Sequence, residues 1–194
     1  MYILASASPR RKELLSLITT DFKIVPSGEE ETVPNNIPPE KQPEYLARLK
    51  ALSVSRNYPE YTVIGADTSV IADGKILGKP KNRSEARDMI TALSGSTHKV
   101  ITSCAIVKKG VCRSFSKETL VEFYALDERE IEEYISTDEP YDKAGAYGIQ
   151  GPAAVFVKRV EGCYFTIIGM PMHKLYHMLA KVGIYPDWQR AART

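Results

Sequence analysis

Tyr61-Thr-Val-Ile-Gly-Ala-Asp-Thr-Ser-Val-Ile-Ala-Asp-Gly-Lys-Ile-Leu77 is the stretch whose reading decides the fold class. β-Branched residues crowd positions 61–72, which predicts a strand, and Asp73-Gly74 is a strong two-residue hairpin signal leading into 75–77. Inside this apolar run stands one carboxylate, Asp67, flanked by small residues. Strand ends are where open α/β sheets place their ligands, and Gly65 and Ala66 leave room for the close approach that a phosphate or metal requires. A solvated aspartate in a turn is the plain alternative.

Working outward, helical and extended patterns alternate. Toward the amino end, residues 2–5 form a short apolar run. Ser8 then offers a capping hydroxyl before Pro9, which suits the first helical position. Leu14, Leu15, Leu17 and Ile18 give that helix an apolar face, and 22–25 reads as a strand. The polar, Pro-rich stretch 28–39 is a loop. Residues 43–56 are helical in pattern, with Leu46 and Leu49 on one stripe and Lys50 four residues after Leu46.

Toward the carboxyl end, Ser84 is the expected N-cap of a helix carrying Ala86, Met89, Ile90 and Leu93, closed by Gly95. Strands follow over 97–107 and 111–125. Asp127 and Glu130 form a capping-box variant for a helix with Ile131, Tyr134 and Ile135. After a glycine-rich loop at 145–152, segments 154–160 and 164–168 read as a hairpin around Glu161-Gly162. Pro171 opens a last helix through Leu175, Met178, Leu179 and Val182. The tail 185–194 has no periodicity and is expected to fray. The sum is a mixed α/β chain of one domain, residues 1–194, without repeats or a dividing linker.

Composition excludes several classes. With 26 Lys+Arg against 24 Asp+Glu in 194 residues, the formal charge is +2, too little for a dedicated duplex nucleic-acid binder. Cys104, Cys112 and Cys163 have no CxxC spacing, so neither a disulfide framework nor a thiolate zinc site is expected. The start runs at once from Leu4-Ala5 into Ser-Pro-Arg-Arg-Lys, unlike a secretory signal, and no apolar run is long enough for a membrane helix. A soluble cytoplasmic protein is expected, with no membrane partner.

Three cations, Arg10, Arg11 and Lys12, fall in the first turn of a helix whose free N–H groups already make that end positive. A phosphate chain bound there relieves the repulsion, because guanidinium forks match phosphate oxygens. The other reading is three solvated side chains. Glu29-Glu30-Glu31 offers hard oxygen ligands for Mg²⁺, or simply a solvated acidic face. Lys50, and Lys79 in Gly78-Lys-Pro80, are further phosphate candidates. Gly145, Gly148 and Gly151 have the wrong spacing for a dinucleotide fingerprint, and no P-loop is present. His173 and His177 lack the intervening Glu of a zinc protease and read as a helix edge. His98 reads as a hydrogen-bonded structural residue rather than a base.

Taken in order, Ile3-Leu-Ala-Ser-Ala-Ser-Pro-Arg-Arg11, Gly65-Ala-Asp-Thr68, Gly78-Lys-Pro80, Leu93-Ser-Gly-Ser-Thr-His98, Asp142-Lys-Ala-Gly-Ala-Tyr-Gly-Ile-Gln-Gly151 and Gly169-Met-Pro171 resemble the Maf family. That family, historically named for septum formation inhibitors, comprises nucleoside triphosphate pyrophosphatases. The resemblance implies an inosine-triphosphatase-like fold: a long central mixed sheet flanked by helices, in two lobes with a cleft. It also implies a divalent metal, Mg²⁺ or Mn²⁺, and a homodimer.

Gly-Ala-Asp-Thr together with Tyr-Gly-Ile-Gln resembles the branch that hydrolyses dTTP and UTP to the monophosphate and pyrophosphate. By the same likeness Asp67 is the proton acceptor and a metal ligand. Glu31 is the second ligand, with Glu30 as the alternative within the triplet. Ser8, Arg10, Arg11, Lys50, Thr68, Lys79 and Gln150 bind the substrate. The alternatives are a related pyrophosphatase for modified nucleotides and a nucleotide-binding regulator of cell division without turnover.

Overall fold

The computed structural model describes residues 2–190. Its strands are β1 (Tyr2–Leu4), β2 (Phe22–Ile24), β3 (Thr62–Ala72), β4 (Lys75–Leu77), β5 (Thr97–Lys108), β6 (Val111–Phe123) and β7 (Val157–Glu161). They form one seven-stranded sheet in the order β2-β1-β3-β5-β6-β7, with β4 paired to β3. β1 runs parallel to β2 and β3, whereas β4 on β3 and β7 on β6 are antiparallel, so the sheet is mixed as expected. The helices are α1 (Pro9–Ser16), α2 (Gln42–Asn57), α3 (Arg83–Leu93), α4 (Glu128–Ile135), α5 (Tyr164–Ile168), α6 (Met172–Lys181) and α7 (Asp187–Arg190).

The chain divides into two compact units, 1–67 with 102–117 and 169–194, and 68–101 with 118–168. In the first, Ile3, Ala5, Ala47, Ala51, Val54, Val63, Ala105 and Val107 form the core. The buried stripe of α2 is Pro43, Ala47, Ala51 and Val54 rather than the half-buried Leu46 and Leu49. Small side chains win that face because β3 comes too close for leucine, as Gly65 shows below. On α1, Leu14, Leu15 and Ile18 are buried but Leu17 stays exposed. The tail is tied down rather than frayed as far as it is described. The Asp187 carboxylate accepts from Thr19 Oγ1 at 3.1 Å and from the Thr20 N–H at 2.8 Å. Residues 191–194 of that expected tail lie outside the described residues.

In the second unit α3 and α4 pack Ala86, Ile90, Leu93, Ile131, Tyr134 and Ile135 against Val100, Val121 and Phe123. The capping box of α4 forms in both directions, between Asp127 and Glu130. The α3 cap is Asn82, whose side chain accepts from the Glu85 N–H at 2.9 Å, two residues earlier than the expected Ser84. The hairpin expected over 154–168 is absent. Pro152–Phe156 is a 3₁₀ turn, Val157–Glu161 alone is extended, and Tyr164–Ile168 is helical. Thr119 closes this corner: Oγ1 accepts from the Cys163 N–H at 2.9 Å and donates to Cys163 O at 3.0 Å. Tertiary hydrogen bonding outweighs the β propensity of a short aromatic run.

His98 is the structural residue the sequence suggests. It is 1% exposed, its Nε2 lies 2.8 Å from the Tyr147 hydroxyl, and its ring meets Phe123 and Tyr147 edge to face. Nδ1 is buried without a hydrogen-bond partner among the described residues. A neutral ring with its proton on Nε2 leaves only a lone pair there, whereas a charged ring would strand a donor.

Burial accordingly pushes the imidazole down to about 4. The unfolded chain takes its proton near ~6.5, so unfolding takes up a proton between those values and stability falls as pH drops through that window. Urea unfolding should lose about 3 kcal/mol from this group between pH 7 and pH 4. His98→Gln should show a shallower decline over the same range, and an equal decline would assign the loss to other groups.

A methyl added at Gly65 would stand 2.4 Å from Ala47 O and 2.9 Å from Ala51 N. Gly65→Ala is therefore expected to destabilise by at least about 1–3 kcal/mol, the usual cost of overpacking. A denaturation midpoint equal to that of the parent would show that α2 can withdraw without cost.

Candidate active site

The contact at Gly65 builds the site. Gly65 does not leave room for a ligand, as its sequence context suggests; the backbone of α2 takes that space. On a helix, positions three and four apart share a face, so Ala47, Lys50 and Ala51 all look toward β3. On a strand alternate residues share a face, so Asp67 stands on the side Gly65 presents. The result is Lys50 Nζ at 2.7 Å from Asp67 Oδ1. The loop before α2 adds Glu31, whose Oε1 lies 2.9 Å from the same ammonium. Of the acidic triplet it is thus Glu31 that reaches Asp67's partner, while Glu29 pairs loosely with Arg56 at 3.7 Å.

The charges differ sharply in exposure. The Asp67 and Lys50 side chains are 11% and 12% exposed and Glu31 is 55% exposed. Burial raises the Asp67 carboxyl above its ordinary range, against the pull of Lys50 and Arg11. A carboxylate whose pKa is raised holds a proton more strongly than one in water.

Arg11 acts differently from the free phosphate ligand its sequence suggests. Its Nη1 donates to Ala66 O at 2.8 Å and Ser6 Oγ at 3.2 Å, and its Nε donates to Gly169 O at 3.1 Å. Burial lowers its pKa. The guanidinium thus braces α1, β3 beside Asp67 and the start of the 169–171 segment. Ser8 caps α1, its Oγ accepting from the Arg11 N–H at 3.5 Å, and its own N–H donates to Ser6 Oγ at 3.3 Å. Arg10, half-buried, has no hydrogen-bond or ion-pair partner among the described residues, which leaves its guanidinium available to an anion. Ser6 and the Gly169 carbonyl were missed by the sequence reading; a buried serine two residues before a cap carries no pattern of its own.

Thr68, Lys79 and Gln150 belong to the second unit. Thr68 follows Asp67 directly in β3 and is half-buried. Lys79 and Gln150 are exposed. Their loops are joined by the Gly145 N–H, which donates to Gly78 O at 3.0 Å. Gly145 has φ +71° and lies against Val70, where an added Cβ would come within 2.9 Å of Val70 Cγ1. His173 and His177 stack edge to face on an exposed side of α6, apart from this chemistry.

The donors suit a hard divalent cation. Two carboxylates, Glu31 and Asp67, converge on one positive group. Among the described residues no set of three or more His, Cys, Asp or Glu could enclose a metal alone. A Mg²⁺ ion in general takes one or two protein carboxylates and completes its shell with phosphate oxygens and water. Cys104 is buried, and that burial pushes its thiol up to about 12, which disfavours the thiolate.

A dTTP/UTP pyrophosphatase of Bacillus pumilus (strain SAFR-032) is 45% identical over 184 residues, covering 95% of this chain and 97% of that protein. One from Geobacillus sp. (strain WCH70) is 47% identical over 181 residues, 93% and 97% of the two chains. Among solved structures, the Ham1 protein of Staphylococcus aureus superposes with a TM-score of 0.46 at 14% identity, over 63% of this chain and 71% of that one. The family described as Maf-like protein matches residues 1–182, and with relatives of this similarity along nearly their whole length the chain belongs to the Maf family.

Proposed function

We propose that this chain is a nucleoside triphosphate pyrophosphatase that hydrolyses dTTP and UTP to the nucleoside monophosphate and pyrophosphate. The observation that carries the reading is the buried Asp67 carboxyl, raised in pKa and set beside Lys50 and Glu31. The names of the relatives from Bacillus pumilus and Geobacillus support the same substrates.

In the reaction, a water oxygen bonds to the α-phosphorus while the bond from that phosphorus to the bridging oxygen breaks. Asp67 orients the water and takes its proton, and pyrophosphate leaves with the bridging oxygen. Glu31 and Asp67 would hold the divalent ion, Mg²⁺ or Mn²⁺, which when bound supplies positive charge against the triphosphate and acidifies water. Lys50 keeps the Asp67 carboxylate in one orientation. Arg10 and Lys79, together with the Ser8-capped end of α1, neutralise phosphate charge as it builds on the leaving group. Arg11 braces that end of the helix against the Ala66 carbonyl next to the base.

Gln150 and Thr68 read the base in this proposal. A glutamine amide offers one donor and one acceptor, the complement of O4 and N3–H in uracil and thymine. Discrimination follows because a wrong base leaves buried polar groups unpaired. The proposal takes the whole chain as one Maf domain acting as a homodimer in the cytoplasm, on the likeness to the family. Among the described residues no helix is long and apolar enough to cross a membrane.

Asp67→Asn should still bind UTP but lose turnover by at least about 10³-fold, since the proton acceptor and one anionic ligand of the divalent ion are removed together. Undiminished hydrolysis in that variant removes Asp67 from the chemistry. The products of the parent enzyme with Mg²⁺ should be UMP and pyrophosphate in equal amounts. Release of orthophosphate as the primary product would mean attack at the γ-phosphorus and overturn the assignment.

A further inference from the structure

Gly148 and Gly151 flank Ile149 and Gln150, yet neither needs glycine for its backbone angles: neither has a positive φ, and Gly151 lies at φ −113°. Space is the reason. A Cβ on Gly151 would fall 1.6 Å from Glu139 Oε1, and one on Gly148 would fall 2.8 Å from Lys143 Cε and 3.1 Å from the same Oε1. The Glu139 carboxylate therefore lies against the backbone on both sides of Gln150.

Its second oxygen accepts from the Ala153 N–H at 3.4 Å, and the Tyr134 hydroxyl donates to Ala146 O at 3.1 Å nearby in the same stretch of chain. Lys143 Nζ in turn donates to the Glu139 carbonyl at 2.8 Å and pairs with Asp142 at 2.5 Å, fixing the 3₁₀ turn (Glu139–Asp142) that carries the carboxylate. The Gly151 N–H closes the loop on Gly148 O at 3.1 Å. Gln150 itself is exposed, with no hydrogen bond to another described residue.

We propose that Glu139 is a positioning residue for base selection: its carboxylate fills the place of a Gly151 side chain and holds the 148–151 turn in one form, so that the Gln150 amide meets the base in one orientation. The inference rests on the reading of Gln150 as the base contact. An amide at the tip of an unbraced turn can present donor and acceptor in either order, and the order is what separates uracil from other bases. Bracing from beneath lowers the entropy lost when the base binds. Glu139 touches no substrate in this scheme; it acts through Gln150.

The test is the ratio of kcat/KM for UTP to kcat/KM for ATP in the parent, Gln150→Ala, Glu139→Ala, Glu139→Gln and the Glu139→Ala/Gln150→Ala double variant, with thermal unfolding confirming that each is folded. Gln150→Ala and Glu139→Ala are each expected to reduce the ratio by about tenfold or more, and the double variant no further than Gln150→Ala alone. Glu139→Gln keeps the shape and an oxygen for the Ala153 N–H, so its ratio should stay near that of the parent. A ratio that falls in Gln150→Ala but not in Glu139→Ala, or losses that multiply in the double variant, overturns the role of Glu139. A ratio unchanged in Gln150→Ala overturns the reading of Gln150 and this inference with it.

Discussion

The chemistry of this protein depends on how closely one helix approaches one strand. With no side chain at Gly65 and only methyls at Ala47 and Ala51, the backbones of α2 and β3 come into contact. That approach seats Lys50 on Asp67 at 2.7 Å. A lysine on a surface helix has a long, flexible stem and costs entropy to fix in one geometry. Here the distance is set by backbone packing in a core of small residues, so the ammonium arrives with little freedom left. A larger residue at any of the three positions is expected to push α2 away from β3 and to lengthen the contact between Lys50 and Asp67.

The same burial creates an electrostatic tension. A carboxylate taken out of water is costly unless positive groups answer it. Lys50 answers it directly. Arg11 contributes through space while its own N–H groups are satisfied by Ala66 O, Gly169 O and Ser6 Oγ. The balance leaves Asp67 with a raised pKa, which a fully neutralised ion pair would not show. Attraction dominant enough to drive the pKa down would give a good salt bridge and a poor base. Desolvation is the larger influence, and it is what the proposed reaction uses.

Local rules made much of the fold legible. The long strand, the Asp73-Gly74 turn, the Ser8 cap and the Asp127–Glu130 box are each written within a few residues, and each is present. Where the reading failed, the deciding partner was far along the chain. Segment 164–168 is helical rather than extended because Cys163 is held by Thr119, 44 residues away. The Ala47 and Ala51 stripe was passed over for Leu46 and Leu49 because apolar size, not closeness of approach, is what periodicity weighs. Likeness to the family named Glu31 from the acidic triplet with Glu30 as the alternative, and it is Glu31 that lies 2.9 Å from Lys50. Arg11 and Arg10 are adjacent and chemically identical, and nothing local distinguishes the brace from the open cation. Residues 68 and 150 were singled out only through likeness to a family, since an exposed glutamine has no pattern of its own, whereas Lys79 was a phosphate candidate from its place between Gly78 and Pro80.

Glycine illustrates why such sites resist local reading. At Gly145 the backbone needs a left-handed angle, φ +71°, a requirement that turn chemistry expresses. At Gly65, Gly148 and Gly151 no positive φ calls for glycine, and what the missing side chain leaves room for lies opposite: a helix backbone at Gly65, and at the other two the movable ends of Lys143 and Glu139. The first kind of glycine shapes a loop from within. The second kind records a contact whose other half is elsewhere in the sequence: at Gly65 it lies two residues from Asp67, and at Gly148 and Gly151 it flanks Gln150. Treating every glycine near a reactive residue as space for a ligand therefore misassigns Gly65, whose room is taken by α2.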